Sequence, residues 1–431
     1  MPIPVISYIF SEGIGRIPYL WTTLKLLPCL AVIYVLKIYS GGARNTSERV
    51  MHSKIVMITV PALSTSIIAS TDTSQGGTSG IGAAVAKGLA QRGAQIILLT
   101  HHHPSDPFLV DYIEDLRTTT NNELIYAEQV DLASLHSIRQ FATKWVDNAP
   151  PRRLDIIILC ADTFKPRFGI EIITQDGLDG TWGINYLANF HLLSILSPAL
   201  RAQPADRDVR VIFGTCSSYV GGDLSKLKDT REPLPKGREY ETSKLSTMVF
   251  AQAFQKHLDA YVRPDKQANN ARVVLVNPGY SRTSGMRRWL TMGSLWGLLV
   301  YLLMWPIWWL ALKSPDQGAQ SFFYAAMEAD LGRGVGGRYL KECKDLTYSK
   351  KEVTDEKVAK KLWEFSERQV EALEKEGAVK RALKKKEAEA AEKEGEGKNG
   401  EKENGKVDEK ASRTKKPGHK VQEGRRTKKA V

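Results

Sequence analysis

Four runs of consecutive apolar residues constrain this chain more than anything else in it: IILLT (96–100), LDIIILC (154–160), VRVIFGT (209–215) and ARVVLVNPG (271–279). Each is apolar at successive positions rather than alternate ones, so each needs cover on both faces of a sheet. Between them lie stretches with helical patterning, such as GIGAAVAKGLAQRG and DLASLHSIRQFATKWVD. Strands buried on both faces that alternate with helices predict an α/β fold, a doubly wound parallel sheet, over residues 50–345.

The rest of the 431 residues divides by composition. Residues 1–49 hold an apolar run, LLPCLAVIYVL (26–36), flanked by Lys25 and Lys37 and interrupted by Pro28. With its neighbours it approaches spanning length without the basic start and small-residue cleavage site of a signal peptide, so a membrane-associated segment is expected. Residues 346–392 are charged and rich in Ala, Lys and Glu, which predicts a helical extension. Residues 393–431 have almost nothing to bury and are expected to be a disordered basic tail. The formal net charge of +13 invites a nucleic-acid reading. From residue 351 onward, however, the chain carries 24 basic and 18 acidic residues, so about half the excess lies in the extension and tail and not on a folded basic face. No nucleic-acid partner is expected. Cys29, Cys160, Cys216 and Cys343 share no close spacing, which signals neither a disulfide framework nor a metal site and favours a reducing compartment.

Two motifs carry chemistry. GGTSGIG (76–82) leads straight into a helix, and its glycines let backbone N–H groups approach a pyrophosphate at a helix N-terminus. YETSK (240–244) lies in a helical stretch, where a spacing of four puts the Tyr240 phenol and the Lys244 ammonium on one face. An ammonium beside a phenol favours the phenolate, which suits proton exchange with a carbonyl oxygen. Strand, glycine turn, helix, Asp131, Asn185, Ser217/Ser218, Tyr240/Lys244 and NPG (277–279) follow one another in the order of the short-chain dehydrogenase/reductase family, which residues 50–345 resemble. Retinol-dehydrogenase-like and fungal lipid-droplet-associated members look most similar.

The resemblance implies a Rossmann fold and a set of roles. Gly76, Gly80 and Gly82, with Ile81 among them, would cradle the cofactor phosphates. Asp131, with Leu132 beside it, would hold the adenine amine, and Ala161 would border the cofactor. Asn185 would hold a water in a proton relay. Ser218 would polarise the substrate oxygen, and Tyr240 would act as general acid and base. Lys244 would bind the ribose and lower the tyrosine pKa. Pro278, Gly279 and Thr283 would hold the nicotinamide carboxamide. Tyr240 would also border the cofactor.

Three departures stand out. The family's Asn-Asn-Ala-Gly is here Leu159-Cys160-Ala161-Asp162. The strand-ending acid typical of NAD users is replaced by Thr100-His101-His102-His103; His101 would tolerate or contact a 2′-phosphate, so NADP(H) is favoured over NAD(H). Sixteen residues, 60–75, separate the first strand from its glycine turn. Deleting them leaves KIVMITGGTSGIG, and the block begins with Val (GT-) and ends with Gln75 (CAG), so a translated intron is the expected explanation.

Residues 289–312 contain no charge and five tryptophans, between Arg287/Arg288 and Lys313. Both ends must return to one globule, so the region 287–313 is expected to be a re-entrant hairpin or an in-plane apolar helix lying in a membrane surface or a lipid-droplet monolayer. The sequence thus points to an oxidoreductase for a lipophilic alcohol or carbonyl. It would sit on the endoplasmic reticulum or lipid droplets with its catalytic domain facing the cytosol. A catalytically weak surface or tethering protein is the alternative.

Overall fold

The computed structural model describes residues 20–59, 80–166, 172–225 and 237–411, with side chains over 25–387 of these. The block 60–75, the glycine at 76 and the residues beyond 411 lie outside the described residues.

Eight strands form one sheet: β1 (Ile55–Thr59), β2 (Gln95–Thr100), β3 (Ile125–Gln129), β4 (Ile156–Leu159), β5 (Val209–Gly214), β6 (Ala271–Asn277), β7 (Arg338–Lys341) and β8 (Lys344–Leu346). Their spatial order is β3-β2-β1-β4-β5-β6-β7-β8. All neighbours run parallel except the last pair, β7 and β8. The order reverses between β1 and β4, and in such sheets the crevice beyond the strand C-termini at that point takes the ligand. The four runs read as doubly covered strands are β2, β4, β5 and β6; β4 is buried throughout, and β6 is buried from Val273 to Asn277.

Helices cover both faces. One face carries α2 (Gly80–Ala90), α3 (Pro107–Thr120) and α10 (Pro315–Met327); its core joins Val56, Ile58, Leu89, Ile96, Ile158 and Phe322. A Cβ at Gly88 would stand 2.2 Å from the Phe323 ring, so only glycine lets α2 and α10 approach this closely. The opposite face carries α4 (Leu135–Val146), α5 (Ala188–Arg201) and α6 (Glu239–Asp259). Its core extends to Leu362, Phe365, Val370 and Leu373 at the start of α12 (Glu356–Ala411). Local chemistry sets the boundaries. Asp106 caps α3 ahead of Pro107, Asn121 ends it in the left-handed conformation, and Ser314 and Gln317 form a capping box on α10.

The N-terminal helix α1 (Leu20–Gly41) is followed much later in the chain by three short helices, α7 (Ser284–Thr291), α8 (Leu295–Leu303) and α9 (Trp305–Ala311); α7 is polar and half-buried, whereas α8, α9 and the described side chains of α1 are apolar and largely exposed. The region after the NPG loop is therefore a helical hairpin, turning at Met292–Gly293, where φ is +52° and +74°, and at Met304. It leaves and rejoins the domain at one place, a parallel bridge between Ser281 and Lys313. No helix among the described residues is long and apolar enough to cross a membrane. A short helix, α11 (Ala329–Arg333), precedes β7. The chain divides into two units, 1–373 and 374–431. In the second, α12 continues to Ala411, past position 393 where composition predicts loss of structure.

Candidate active site

The functional side chains converge at the C-terminal ends of β1, β4, β5 and β6. Thr59, the last residue of β1, ties two strands together there: its hydroxyl accepts from the backbone N–H groups of Cys160 (3.1 Å) and Ala161 (3.3 Å) just beyond β4. Ala161 is thereby fixed beside the switch point.

Tyr240 and Lys244 lie on the first turns of α6, with Lys244 Nζ 5.5 Å from the Tyr240 ring centroid. Lys244 is buried, and its ammonium also lies 3.5 Å from the Gly214 carbonyl at the end of β5. The nearest partner of both groups is one that spacing alone does not reveal. Tyr240 donates its hydroxyl to one oxygen of Asp162 (2.7 Å), and the other oxygen lies 3.0 Å from Lys244 Nζ. The Cys216 thiol donates to the Tyr240 hydroxyl from the other side, at 3.6 Å. The Phe164 ring meets Tyr240 edge-on, 5.3 Å between centroids. Burial pushes the Tyr240 hydroxyl well above the usual phenol range, and the Asp162 carboxylate adds to that rise. Burial works against the Lys244 charge, but the Asp162 carboxylate outweighs it and raises the pKa of the ammonium.

Ser218 is not among the partners of Tyr240. After Cys216 the chain enters a 3₁₀ turn, Ser217–Gly221, which contains both serines. The Ser217 hydroxyl accepts from Asn277 Nδ2 (3.0 Å), which also donates to the Tyr339 hydroxyl (2.9 Å). Cys216, the last residue before the turn, holds the place beside Tyr240.

Asn185 sits in a π-helical turn, Gly183–Leu187, ahead of α5. Such turns recur at functional sites because they re-aim side chains. Its amide is buried and makes a two-way bridge to the backbone of Thr163, donating to the carbonyl at 2.8 Å and accepting from the N–H at 2.7 Å. Asn185 thus fixes the loop that carries Asp162 and Phe164. Its carbonyl oxygen accepts from Asn189 (2.8 Å) and Thr247 (3.3 Å).

Of the residues expected at a dinucleotide, Gly80 opens α2 with φ +80°, and a Cβ there would lie 3.6 Å from Thr283 Cγ2. The 277–283 loop, with Pro278, Gly279 (φ +77°) and Thr283 capping α7, therefore meets the N-terminus of α2. Ile81 packs inward beside Gly318, and Gly82 and Leu132 are buried. Asp131 spends its carboxylate locally, accepting from the Ala133 N–H (2.9 Å) and from Gln175 Nε2 (2.7 Å). His101, at the end of β2, is pushed below the usual imidazole range, first by burial and then by His102. His102 pairs with Asp106 at 2.8 Å. Among the described residues, His101 Nδ1 is buried without a hydrogen-bond partner. It lies where folds of this topology place a ribose, and a dinucleotide's polar atoms would satisfy it. The residues present thus fit a dinucleotide. No group of three or more metal-ligating side chains occurs among the described residues.

Comparison with known proteins adds four findings. The family model described as short chain dehydrogenase matches residues 74–292. An uncharacterized oxidoreductase of Schizosaccharomyces pombe is 38% identical over 90% of this chain and 100% of its own length. Retinol dehydrogenase 13 of Mus musculus is 29% identical over 78% of this chain and 89% of its own. Polyprenol dehydrogenase of Mus musculus is 32% identical over 62% of this chain and 74% of its own.

Proposed function

The chain belongs to the short-chain dehydrogenase family and is an oxidoreductase of that type, and from that premise we propose that it interconverts a lipophilic alcohol and its ketone or aldehyde at a membrane or lipid-droplet surface. The observation that carries the reading is the Tyr240–Lys244 pair at the β4 and β5 ends, one loop away from an exposed apolar hairpin.

A bound nicotinamide dinucleotide supplies or accepts the hydride. The N-terminus of α2 at Gly80, the crevice between β1 and β4, and the 277–283 loop would hold it, with Lys244 within reach of a ribose. Tyr240 donates the proton to the carbonyl oxygen in reduction and takes it back in oxidation. The Cys216 thiol hydrogen-bonds the same oxygen, the part that the family resemblance gives to Ser218. Asn185 keeps the 162–164 loop in place. NADP(H) is favoured, since no carboxylate directly follows β2 to repel a 2′-phosphate; NAD(H) is the second choice.

The apolar plate supports a substrate that arrives from lipid. Leu295, Trp296 and Leu303 are 85%, 78% and 73% exposed, and α9 packs on α1, whose Leu26, Leu27, Leu30 and Val35 face outward. Lys37 of α1 donates to the carbonyls of Trp309 and Leu312, and Ser40 to that of Leu310, so the two segments form one surface. Tryptophans and basic flanks are the composition of an interfacial element. Retinol dehydrogenase 13 and polyprenol dehydrogenase carry in their names the kind of substrate such a surface suits.

The test is turnover by the detergent-solubilised full chain with NADPH and long-chain or isoprenoid aldehydes. Tyr240→Phe should lower it about 10²–10⁴-fold while leaving cofactor binding intact. Unchanged turnover in that variant rejects the mechanism. The Asp162 ion pair favours a second reading, a fold kept for surface attachment with little catalysis, and failure to bind either nicotinamide cofactor would establish it.

A further inference from the structure

The carboxylate of Asp162 does two things at once. One oxygen accepts the Tyr240 hydroxyl and the other pairs with the Lys244 ammonium. In a bare tyrosine–lysine pair the ammonium is the nearest charge, and it favours phenolate. Here a carboxylate has come between: it offsets the ammonium and is itself the acceptor of the phenolic proton. The family's glycine at this position has no group to do either.

We propose that Asp162 is a positioning residue that holds Tyr240 as a neutral phenol at neutral pH and so sets the pH range in which the site can take a proton from an alcohol. The other groups facing Tyr240 do not offset this. Lys244, from α6, is already paired. Cys216, after β5, donates its S–H to the hydroxyl. Cys160, at the end of β4 near Lys244, is pushed up to about 12 by burial and stays an uncharged thiol. Phe164 brings a ring edge and no charge. Asp162 is the one carboxylate in contact with Tyr240 among the described residues.

The consequence follows from the balance of the reaction. In oxidation the alcohol O–H proton passes to the Tyr240 oxygen, and the carbinol hydrogen leaves with its electron pair for the oxidised nicotinamide. The C–O bond becomes C=O. The Tyr240 oxygen must be deprotonated beforehand. With the phenolate scarce, kcat/KM for oxidation should rise about tenfold per pH unit through the neutral range without levelling.

The inference rests on the oxidoreductase reading only for that kinetic profile, and its first measurement is independent of turnover. Tyrosinate absorbance is titrated in the full chain and in Tyr240→Phe, and the difference isolates Tyr240. Asp162→Asn should move that titration down by about one to three units, and Asp162→Glu should restore the original position. Asp162→Gly serves as a second neutral variant should the asparagine protein fail to fold. A titration that stays put in the folded neutral variant overturns the proposal. A titration that moves, in a chain that oxidises no alcohol, upholds the proposal and overturns the oxidoreductase reading instead. Where alcohol is turned over, the neutral variant's kcat/KM profile should level off at lower pH, and a profile identical to that of the original chain also overturns the proposal.

Discussion

At the scale of single residues, Tyr240 has a carboxylate, an ammonium and a thiol around it, from Asp162, Lys244 and Cys216. Tyr240 and Lys244 could be paired because a helix puts positions four apart on one face, and α6 does so. Asp162 showed only as a departure from a pattern. Its contact with Tyr240 spans 78 positions, and no periodicity encodes a loop-to-helix contact of that kind. At the β5 end two residue positions compete for the place beside Tyr240: the family pattern points to Ser218, whereas the Cys216 thiol hydrogen-bonds the Tyr240 hydroxyl and the 3₁₀ turn begins at the next residue. A prediction separates the candidates. Cys216→Ala should reduce turnover about tenfold, the worth of one hydrogen bond to the reacting oxygen, while Ser218→Ala changes it little and Cys216→Ser keeps most of it. The reverse ranking in steady-state kinetics would return the role to Ser218.

At the scale of elements, doubly apolar strands and capped helices were readable because each is written in a few contiguous residues, as in Asp106-Pro107 or Ser314-Pro315. What joins elements was not. Sequence showed two apolar segments, near 26–36 and 289–312; that α1 and α9 pack together depends on Lys37 reaching carbonyls more than 270 positions away. The combined face gives the second prediction. Replacing Trp296 and Leu299 of α8 with Glu should lower binding of the chain to phospholipid vesicles by about tenfold or more, since each buried side chain of this size is worth roughly 1.5–3 kcal/mol. Turnover of a small water-soluble carbonyl should be unaffected. Equal sedimentation with vesicles would show that this face does not meet lipid.

At the scale of the whole molecule, the first unit includes the beginning of α12. Trp363 packs among Phe190, Phe250 and His257, Ser366 bonds the buried Tyr186 hydroxyl at 2.7 Å, and Gln369 accepts from Trp182 Nε1 at 3.0 Å. Composition marked this extension only as charged and helical, since its inward residues are diluted among lysines and glutamates. A chain ending at Leu373 should melt at the temperature of the full protein. One ending at Asp355 loses four buried apolar side chains and should melt well below it. Matching midpoints for the two truncations would place α12 outside the stabilising core.

The bridge from Lys37 to Trp309 and Leu312 also orders events in time. The ribosome releases α1 first and its partner only after six of the eight strands have been made. The joint surface therefore does not exist on a nascent or half-folded chain. It is completed by the same late step that brings the hairpin back to Lys313 and closes the sheet with β7. Under the membrane-surface reading proposed above, adhesion through that surface would be a certificate of folding, granted to finished molecules and withheld from fragments.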